Sequence, residues 1–440
     1  MLDIKAFVDV ENATQSRRIY WDREIYELEM ERIFARNWLF LTHESLIPDY
    51  GDFVVTKMGE DEVVVWRQKD GGIRTFLNQC THRGAKLCMA EAGNARAFSC
   101  GYHGWAFSSD GNLASVPLEQ QSYGPGFDRC KRNLREVPRV ESYRGFIFAC
   151  MDPAVPGLQD FLGDAAWYMD LWADVPGGVE LVGPPARSII RANWKTPAEN
   201  FIGDTYHVGW THQSALTAAA GQSIPQEAFA APGGGFQATT RYGHGLGIGT
   251  SMFGAMLHVE SCPEFGELLG RRQAEVEAKL GPKGQGLITG AWDATIFPNC
   301  SYLWGTNVFK VWHPLGPDKV EIMTWAIVGK EMSDDLKHRM AAASHRVFGT
   351  AGILEADDLD SFEYANIPNS GYVTRQGRLD LTMGKGMERE DSVYPGVVGD
   401  YVNELAQRGY YRFYADCMDT GDWPELEART ENWKADLLGK

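Results

Sequence analysis

The chain has 440 residues, of which 44% are hydrophobic and 23% charged, and its formal net charge at pH 7 is −17. This length permits two domains, and the composition excludes a disordered or fibrous protein. The acidic balance argues against binding to nucleic acid or to an anionic membrane, because both require a basic surface. No apolar run is long enough for a secretory signal or a membrane span, so the cytoplasm is the expected compartment and disulfides are not expected.

The pattern of hydrophobic and turn-forming residues changes twice along the chain. Residues 1–38 are predicted to be helical and to join the larger domain. Residues 39–155 alternate short β-branched runs with Gly-rich turns, which predicts a small all-β domain. Residues 156–440 mix helices with strands, which predicts an α+β domain with an antiparallel sheet covered by helices. Within it, residues 221–250 are rich in Gly, Ala and Pro and are predicted to form a long loop or lid.

Two segments of the β-rich region each offer one thiol and one imidazole, Cys80 with His82 and Cys100 with His103. A closed tetrahedral zinc site could use these four ligands. A Rieske [2Fe–2S] cluster is the second reading, since it needs two Cys on one iron and two His on the other. The mixed composition of each segment favours the cluster, because zinc sites usually take both thiols from one segment and both imidazoles from the other. The remaining six cysteines are expected to be ordinary small apolar residues.

A second pair of possible metal ligands is His207 and His212. Residues five apart are about 140° apart on an ideal helix. Both can therefore face one metal only if the helix breaks or bulges, which Gly209 between them would permit. A mononuclear iron that activates dioxygen uses two His and one carboxylate on one face. Candidate carboxylates follow a Gly-rich segment, at Glu355, Asp357 and Asp358. The other histidines have no such spacing and are assigned no role: His43, His244, His258, His313, His338 and His345.

These motifs resemble the α subunits of Rieske non-haem iron dioxygenases that hydroxylate aromatic rings, of the naphthalene and biphenyl dioxygenase type. The resemblance is carried by residues 78–84, 100–105, 194–212, 296–299 and 311–317, and it covers nearly the whole chain. It implies that Cys80 and Cys100 bind one iron of the cluster, and that His82 and His103 bind the other.

The resemblance also assigns roles around the second centre. Asp358 is implied as the third ligand of a mononuclear iron(II), beside His207 and His212. Asp204 is implied to bridge His207 to His103 of a neighbouring subunit. Asp204 and Asn200 are the expected catalytic residues, and Asn200 is implied as a polar neighbour of the substrate pocket.

A substrate pocket is also implied by the resemblance. Its expected apolar residues are Phe201, Val208, Leu216, Phe297, Phe348 and Leu354. Asp293 is also expected to touch this pocket. Two positions depart from the family, because Asp293 lies near a point where His is expected and Leu354 stands where some members carry Trp. Since no Lys or Arg falls among these residues, a neutral aromatic hydrocarbon is favoured over a benzoate or a salicylate.

The implied reaction is cis-dihydroxylation of an aromatic ring by dioxygen, with electrons that come from NADH. The chain has no dinucleotide fingerprint, so a separate reductase, usually with a ferredoxin, is implied. An α3 or α3β3 assembly with a β subunit is expected. The alternatives are a Rieske monooxygenase, an enzyme for aromatic acids, an electron carrier with an accessory domain, and a zinc-bound scaffold.

Overall fold

The computed structural model describes residues 4–223, 225–228, 233–251, 254–258 and 260–439. The chain forms two compact units. The β-rich unit is Phe34–Val155, and the larger unit combines Met1–Ile33 with Pro156–Lys440. Among the described residues, no helix has the length and apolar character needed to cross a membrane.

The elements are as follows. The α-helices are α1 (Ile4–Phe7), α2 (Arg23–Glu29), α3 (Glu119–Ser122), α4 (Leu158–Leu162), α5 (Asp164–Ala173), α6 (Lys195–Asn200), α7 (Val208–Thr211), α8 (Gln213–Ala220), α9 (Pro263–Leu280), α10 (Asp334–Phe348), α11 (Glu355–Asn366), α12 (Leu405–Asp419), α13 (Trp423–Arg429) and α14 (Trp433–Leu438). The strands are β1 (Val8–Asp9), β2 (Thr14–Ser16), β3 (Leu39–His43), β4 (Asp52–Met58), β5 (Asp61–Arg67), β6 (Ile73–Leu77), β7 (Ala92–Asn94), β8 (Ala97–Ser99), β9 (Ala106–Ser108), β10 (Leu113–Ser115), β11 (Arg139–Tyr143), β12 (Phe146–Cys150), β13 (Val179–Ile190), β14 (Phe236–Thr239), β15 (Gly245–Gly249), β16 (Ala291–Ile296), β17 (Cys300–Leu303), β18 (Val308–Pro314), β19 (Val320–Gly329), β20 (Arg378–Asp380) and β21 (Val397–Asp400). Short 3₁₀ turns connect several of them, and a π-helical turn covers Met30–Phe34.

The β-rich unit consists of small antiparallel sheets, with strand orders β6-β5-β4-β7, β10-β9-β8 and β11-β12-β3. Its core is built by large side chains such as Trp66 and Phe107, which are fully buried. Cys80 and Cys100 belong to the same buried cluster. The prediction of a small all-β domain is confirmed, and the two thiols are part of the core of this domain.

The larger unit is organised around an antiparallel sheet of eight strands among the described residues, in the order β13-β19-β18-β17-β16-β15-β14-β21. Helix α10 packs on β19, and α12 packs on β14 and β15. The prediction of an α+β fold with helices over an antiparallel sheet is therefore confirmed.

The segment 221–250 differs from the expected loop. It contributes β15 and β14, the sixth and seventh of the eight strands of the large sheet, while residues 224 and 229–232 lie outside the described part of the chain. The pattern misled because β15 is glycine-rich, and glycine is unfavourable in strands unless close packing requires it. An ideal Cβ at Gly245 would lie 2.9 Å from a side-chain carbon of Ile202, so close packing explains the composition.

The first thirty residues complete the interior of the larger unit. They are less helical than predicted, since β1 pairs with β2, and β2 pairs with β20 on its other side. The fully buried carboxylate of Glu29 accepts hydrogen bonds from Lys195 Nζ (2.5 Å), Trp194 Nε1 (2.8 Å) and the Tyr414 hydroxyl (2.6 Å). The Tyr20 hydroxyl donates to Glu199 Oε2 at 2.8 Å.

Candidate metal centres and the adjoining cavity

The loops at residues 80–85 and 100–105 share one backbone geometry. In each loop the cysteine amide donates to the carbonyl of the sixth residue, at 2.8 and 2.7 Å. The amide of the fifth residue, Gly84 or Gly104, donates back to the cysteine carbonyl at 2.9 Å in both loops. Both glycines have φ of +75°, a conformation that side chains with a Cβ disfavour. The two loops therefore share one backbone conformation, although the imidazole is on the third residue of the first loop and on the fourth residue of the second.

The four side chains of these loops are sorted by depth. Cys80 and Cys100 are buried, with 2% and 3% of their surface exposed, whereas His103 is exposed. The rings of His82 and His103 lie 4.6 Å apart between centroids, and His82 stacks on Trp105 at 4.6 Å. Within the described residues, the buried Nδ1 of His82 has no hydrogen-bond partner. Two inner thiols and two outer imidazoles, one with an unsatisfied nitrogen, fit the two ends of a [2Fe–2S] cluster.

The same four side chains do not fit one zinc ion. Around a tetrahedral ion the ligand atoms lie about 2.0–2.3 Å from the metal, so they must lie close to one another. Among the described residues, one group of three His, Cys, Asp or Glu side chains brings its ligand atoms within 4.8 Å of one another. That group is His207, His212 and Asp358. The loop ligands contain no such group, so the geometry favours two metal atoms over one.

The second centre lies where two short helices meet. His207 immediately precedes α7, and His212 stands between α7 and α8 with φ −96° and ψ 13°. The predicted break in the helix is present, but it lies at His212 itself and not at Gly209, which is helical. This break turns the two imidazoles towards one point despite their spacing of five residues.

Asp358 supplies a carboxylate to the same point from the first turn of α11. Its Oδ1 lies 3.5 Å from His207 Nε2 and 3.1 Å from His212 Nε2. Asp358 and His212 are buried, with 2% and 3% of their surface exposed. Two imidazoles and one carboxylate that share one face are the donor set of a mononuclear iron(II) centre with open positions.

The outer nitrogens of both imidazoles are held by acidic residues. His207 Nδ1 is hydrogen-bonded to the carbonyl oxygen of Asp204, and the Asp204 carboxylate lies 3.5 Å away. The Asn200 amide lies 3.3 Å from the same nitrogen. His212 Nδ1 lies 3.3 Å from Asp357 Oδ2. Such partners fix the ring orientation and leave each Nε2 for the metal. Sequence reasoning considered Asp357 only as a ligand and missed this supporting position.

The charges in the trio support one another. Burial tends to raise the pKa of Asp358, but its contacts with His207 and His212 outweigh burial and hold the pKa well below its usual range. Burial tends to lower the pKa of His207, but Asp204 and Asp358 outweigh it and raise the pKa. The carboxylate is thus kept ionised, as a metal ligand must be, and a metal ion would displace a proton from His207.

A cavity of about 110 Å³ adjoins the trio. Its volume is comparable to the roughly 150 Å³ apolar cavity that accommodates benzene in another protein. The predicted pocket residues that line it are Asn200, Phe201, Val208, Leu216, Asp293, Phe348 and Leu354. Sequence reasoning did not find the remaining lining residues, which come from distant strands and turns: Thr205, Gly254, Met256, Leu257, Ala291, Trp292, Leu303, Trp304, Thr306 and Tyr401.

Phe297 corrects one expectation, because the structure does not place it on this cavity. It follows the end of β16 and is fully buried. Its ring packs against Tyr410 and Phe413 of α12, at centroid distances of 5.1 and 4.9 Å. Phe297 therefore belongs to the core between the sheet and α12.

Comparisons with known proteins cover both units. The family "Ring hydroxylating alpha subunit (catalytic domain)" matches residues 158–420, and the family "Rieske [2Fe-2S] domain" matches residues 37–143. The large oxygenase component of the naphthalene 1,2-dioxygenase system of Pseudomonas aeruginosa is 44% identical over 440 residues, which cover 98% of each chain. Biphenyl 2,3-dioxygenase subunit alpha of Rhodococcus jostii (strain RHA1) is 37% identical over 97% of this chain and 93% of its own length.

Solved structures agree with these relatives. Naphthalene 1,2-dioxygenase with indole bound in its active site superposes with a TM-score of 0.90, at 44% identity over 97% of this chain and 96% of that chain. The naphthalene 1,2-dioxygenase of Rhodococcus sp. bound to indole gives a TM-score of 0.81, at 34% identity over 94% and 97% of the two chains.

Proposed function

The chain belongs to the α subunits of ring-hydroxylating dioxygenases, with a Rieske [2Fe–2S] domain and a mononuclear-iron domain, and from this membership we propose its substrate class and assembly. It cis-dihydroxylates a neutral aromatic hydrocarbon of one or a few rings. Both atoms of dioxygen enter the ring, and NADH supplies the two electrons through separate proteins. When bound, the mononuclear iron supplies the dioxygen chemistry and the cluster supplies single electrons.

The observation that carries this proposal is the position of an almost wholly apolar cavity against the trio of His207, His212 and Asp358. No Lys or Arg is among its described lining residues, so an anionic substrate would lack a counter-charge there. The buried walls orient a flat ring beside the trio and exclude water from it. The relatives named above act on naphthalene and biphenyl, which agrees with this chemistry.

We assign the ligand roles residue by residue. Cys80, Cys100, His82 and His103 hold the cluster, and His207, His212 and Asp358 hold iron(II). Asp204 and Asn200 position His207 through its outer nitrogen.

Electron transfer between protomers is proposed to pass through Asp204, towards His103 of a neighbouring subunit. The Asp204 side chain keeps 35% of its surface exposed although it lies beside His207. Tyr206 and Trp210 follow it within six residues of the chain and expose 54% and 79% of their surface. His103 is exposed as well, so both ends of such a contact are accessible. We accordingly propose an α3 or α3β3 assembly, fed by a reductase with or without a ferredoxin in the cytoplasm.

Turnover of naphthalene with ¹⁸O₂ tests the reaction. The expected product is a cis-dihydrodiol with two labelled atoms, whereas a single labelled atom would indicate monooxygenation. Replacing His207 or Asp358 by Ala is expected to abolish turnover and leave the absorption of the cluster unchanged, because those residues hold only the second centre. The control is His338→Ala, since His338 is exposed on α10 and belongs to neither group of ligands. If turnover survives His207→Ala or Asp358→Ala, the assignment of the second centre is wrong.

A further inference from the structure

Asp293 stands on an interior strand of the large sheet and faces the cavity. It belongs to β16, which has β15 on one side and β17 on the other, and it is opposite Gly247 of β15. An ideal Cβ on Gly247 would lie 2.8 Å from Asp293 Oδ1, so the glycine leaves the space that the carboxyl needs. Asp is disfavoured in strands, and the side chain of this one is half-buried at the cavity wall. The position therefore requires an explanation other than sheet stability.

No structural partner provides that explanation. Among the described residues, the carboxyl of Asp293 is hydrogen-bonded by its own backbone amide and by no other residue. It is also outside the group of three ligand atoms that converge within 4.8 Å. Burial raises the pKa of Asp293 to about 8, although the nearby His207 opposes this rise. Apart from that one bond, the hydrogen-bonding capacity of the carboxyl is unused by the described residues and is available inside the cavity.

We propose that Asp293 determines substrate specificity by accepting a hydrogen bond from an N–H or O–H group on the aromatic ring. The preferred substrates are then neutral arenes that carry such a donor, as in indoles, aminoarenes and hydroxyarenes. This inference rests on the proposed function and narrows its substrate class. A conflict between local sequence preference and position, such as an unpartnered Asp in a core strand, is characteristic of functional residues.

The lining around Asp293 is mostly apolar. Trp292 and Leu303 contribute apolar surface from the large sheet, and the other uncharged polar side chains of the lining are Asn200, Thr205, Thr306 and Tyr401. A ring without a donor would fill this apolar space and leave the carboxyl unpaired after displacing water. Leaving a buried polar group unpaired weakens binding by about tenfold or more.

Equilibrium binding to the loaded enzyme tests the proposal without requiring turnover. The probes are indole and indene, which are nearly the same size and differ by an N–H group in place of a CH₂ group. Calorimetry on the wild type is expected to show indole binding at least about tenfold more tightly than indene. In Asp293→Ala the ratio is expected to fall to about one. Asp293→Asn keeps a carbonyl acceptor and is expected to retain most of the preference.

A control variant and two refuting outcomes complete the test. Leu216→Ala enlarges the cavity at an apolar residue and is expected to weaken both ligands by a similar factor, so the ratio is preserved. Equal binding of indole and indene by the wild type would overturn the proposal even if a variant failed to fold, and so would an unchanged preference in Asp293→Ala. Oxidation of naphthalene is measured separately, so a failure of the proposed function is distinguishable from a failure of this one.

Discussion

The buried ion pair between Lys310 and Glu355 gives a sharp prediction about the support of the iron ligand. Lys310 Nζ donates to Glu355 Oε2 at 2.6 Å and to Thr324 Oγ1 at 3.0 Å, and the two charged side chains expose 0% and 2% of their surface. Glu355 lies in the first turn of α11, three residues before Asp358. The pair therefore fixes the start of the helix that carries the carboxylate ligand.

Replacing Lys310 by Met is expected to destabilise the larger unit by about 3–5 kcal/mol, because it leaves the Glu355 carboxylate buried without its partner. The midpoint of thermal unfolding should fall by roughly 6–10 °C. The double variant Lys310→Met with Glu355→Leu should recover most of this loss, since an apolar pair of similar volume can replace a buried ion pair. The iron(II) content of the single variant should fall as well, because the start of α11 loses its anchor.

Thermal unfolding followed by circular dichroism, together with a colorimetric iron assay, provides the measurement. Arg23→Met is the matched control, since it breaks an exposed i,i+4 ion pair with Glu27 and should change stability by less than about 0.5 kcal/mol. The reasoning is refuted if Lys310→Met unfolds at the wild-type temperature. It is also refuted if the double variant is no more stable than the single one.

Three more outcomes are expected. Burial lowers the pKa of His244 to about 4, so the folded protein binds fewer protons than the unfolded chain between pH 6.5 and 4. The titration of His244 should therefore lower the free energy of unfolding by about 3 kcal/mol as the pH falls through that range. Denaturant titrations at each pH should show that His244→Gln lacks this loss. Asp357→Ala should weaken iron(II) binding by about 10–100-fold in a competition assay with a chelator, whereas Asp360→Ala on the exposed side of the same helix should not. Gly104→Ala should lower the iron and sulfide content of the purified protein, because φ is +75° and the new Cβ would lie 2.9 Å from a proline carbon. Gly101→Ala places its Cβ in open space and should leave that content unchanged. Equal effects of the two variants would contradict the role of the loop conformation.

The sequence was most informative where the chemistry is local. The ligands of the cluster lie on two short loops, so residue type and spacing alone indicated them. The spacing of His207 and His212 predicted a broken helix, but its location at His212 depended on how α7 and α8 pack. The partner Asp358 lies far along the chain, and only the family resemblance selected it among three neighbouring acids.

The sequence was least informative where tertiary packing overrides local preference. Glycines at Gly245 and Gly247 suggested a loop, yet they lie in an interior strand of the sheet, where Ile202 and Asp293 leave no room for a Cβ. Phe297 seemed suited to the pocket because it is apolar and close in sequence to Asp293. The end of β16 lies between them, however, and the ring is directed into the α12 core. Such choices of face depend on where a strand ends, which periodicity does not specify.

The interrupted arrangement of the larger unit bears on how the chain folds during synthesis. Residues 34–155 are contiguous, so this segment can complete its own sheets as soon as it leaves the ribosome. Glu29, by contrast, emerges early but finds Lys195 only after the whole insert has been made, and Tyr414 only near the end. The opening thirty residues therefore remain exposed to proteases and chaperones during most of translation.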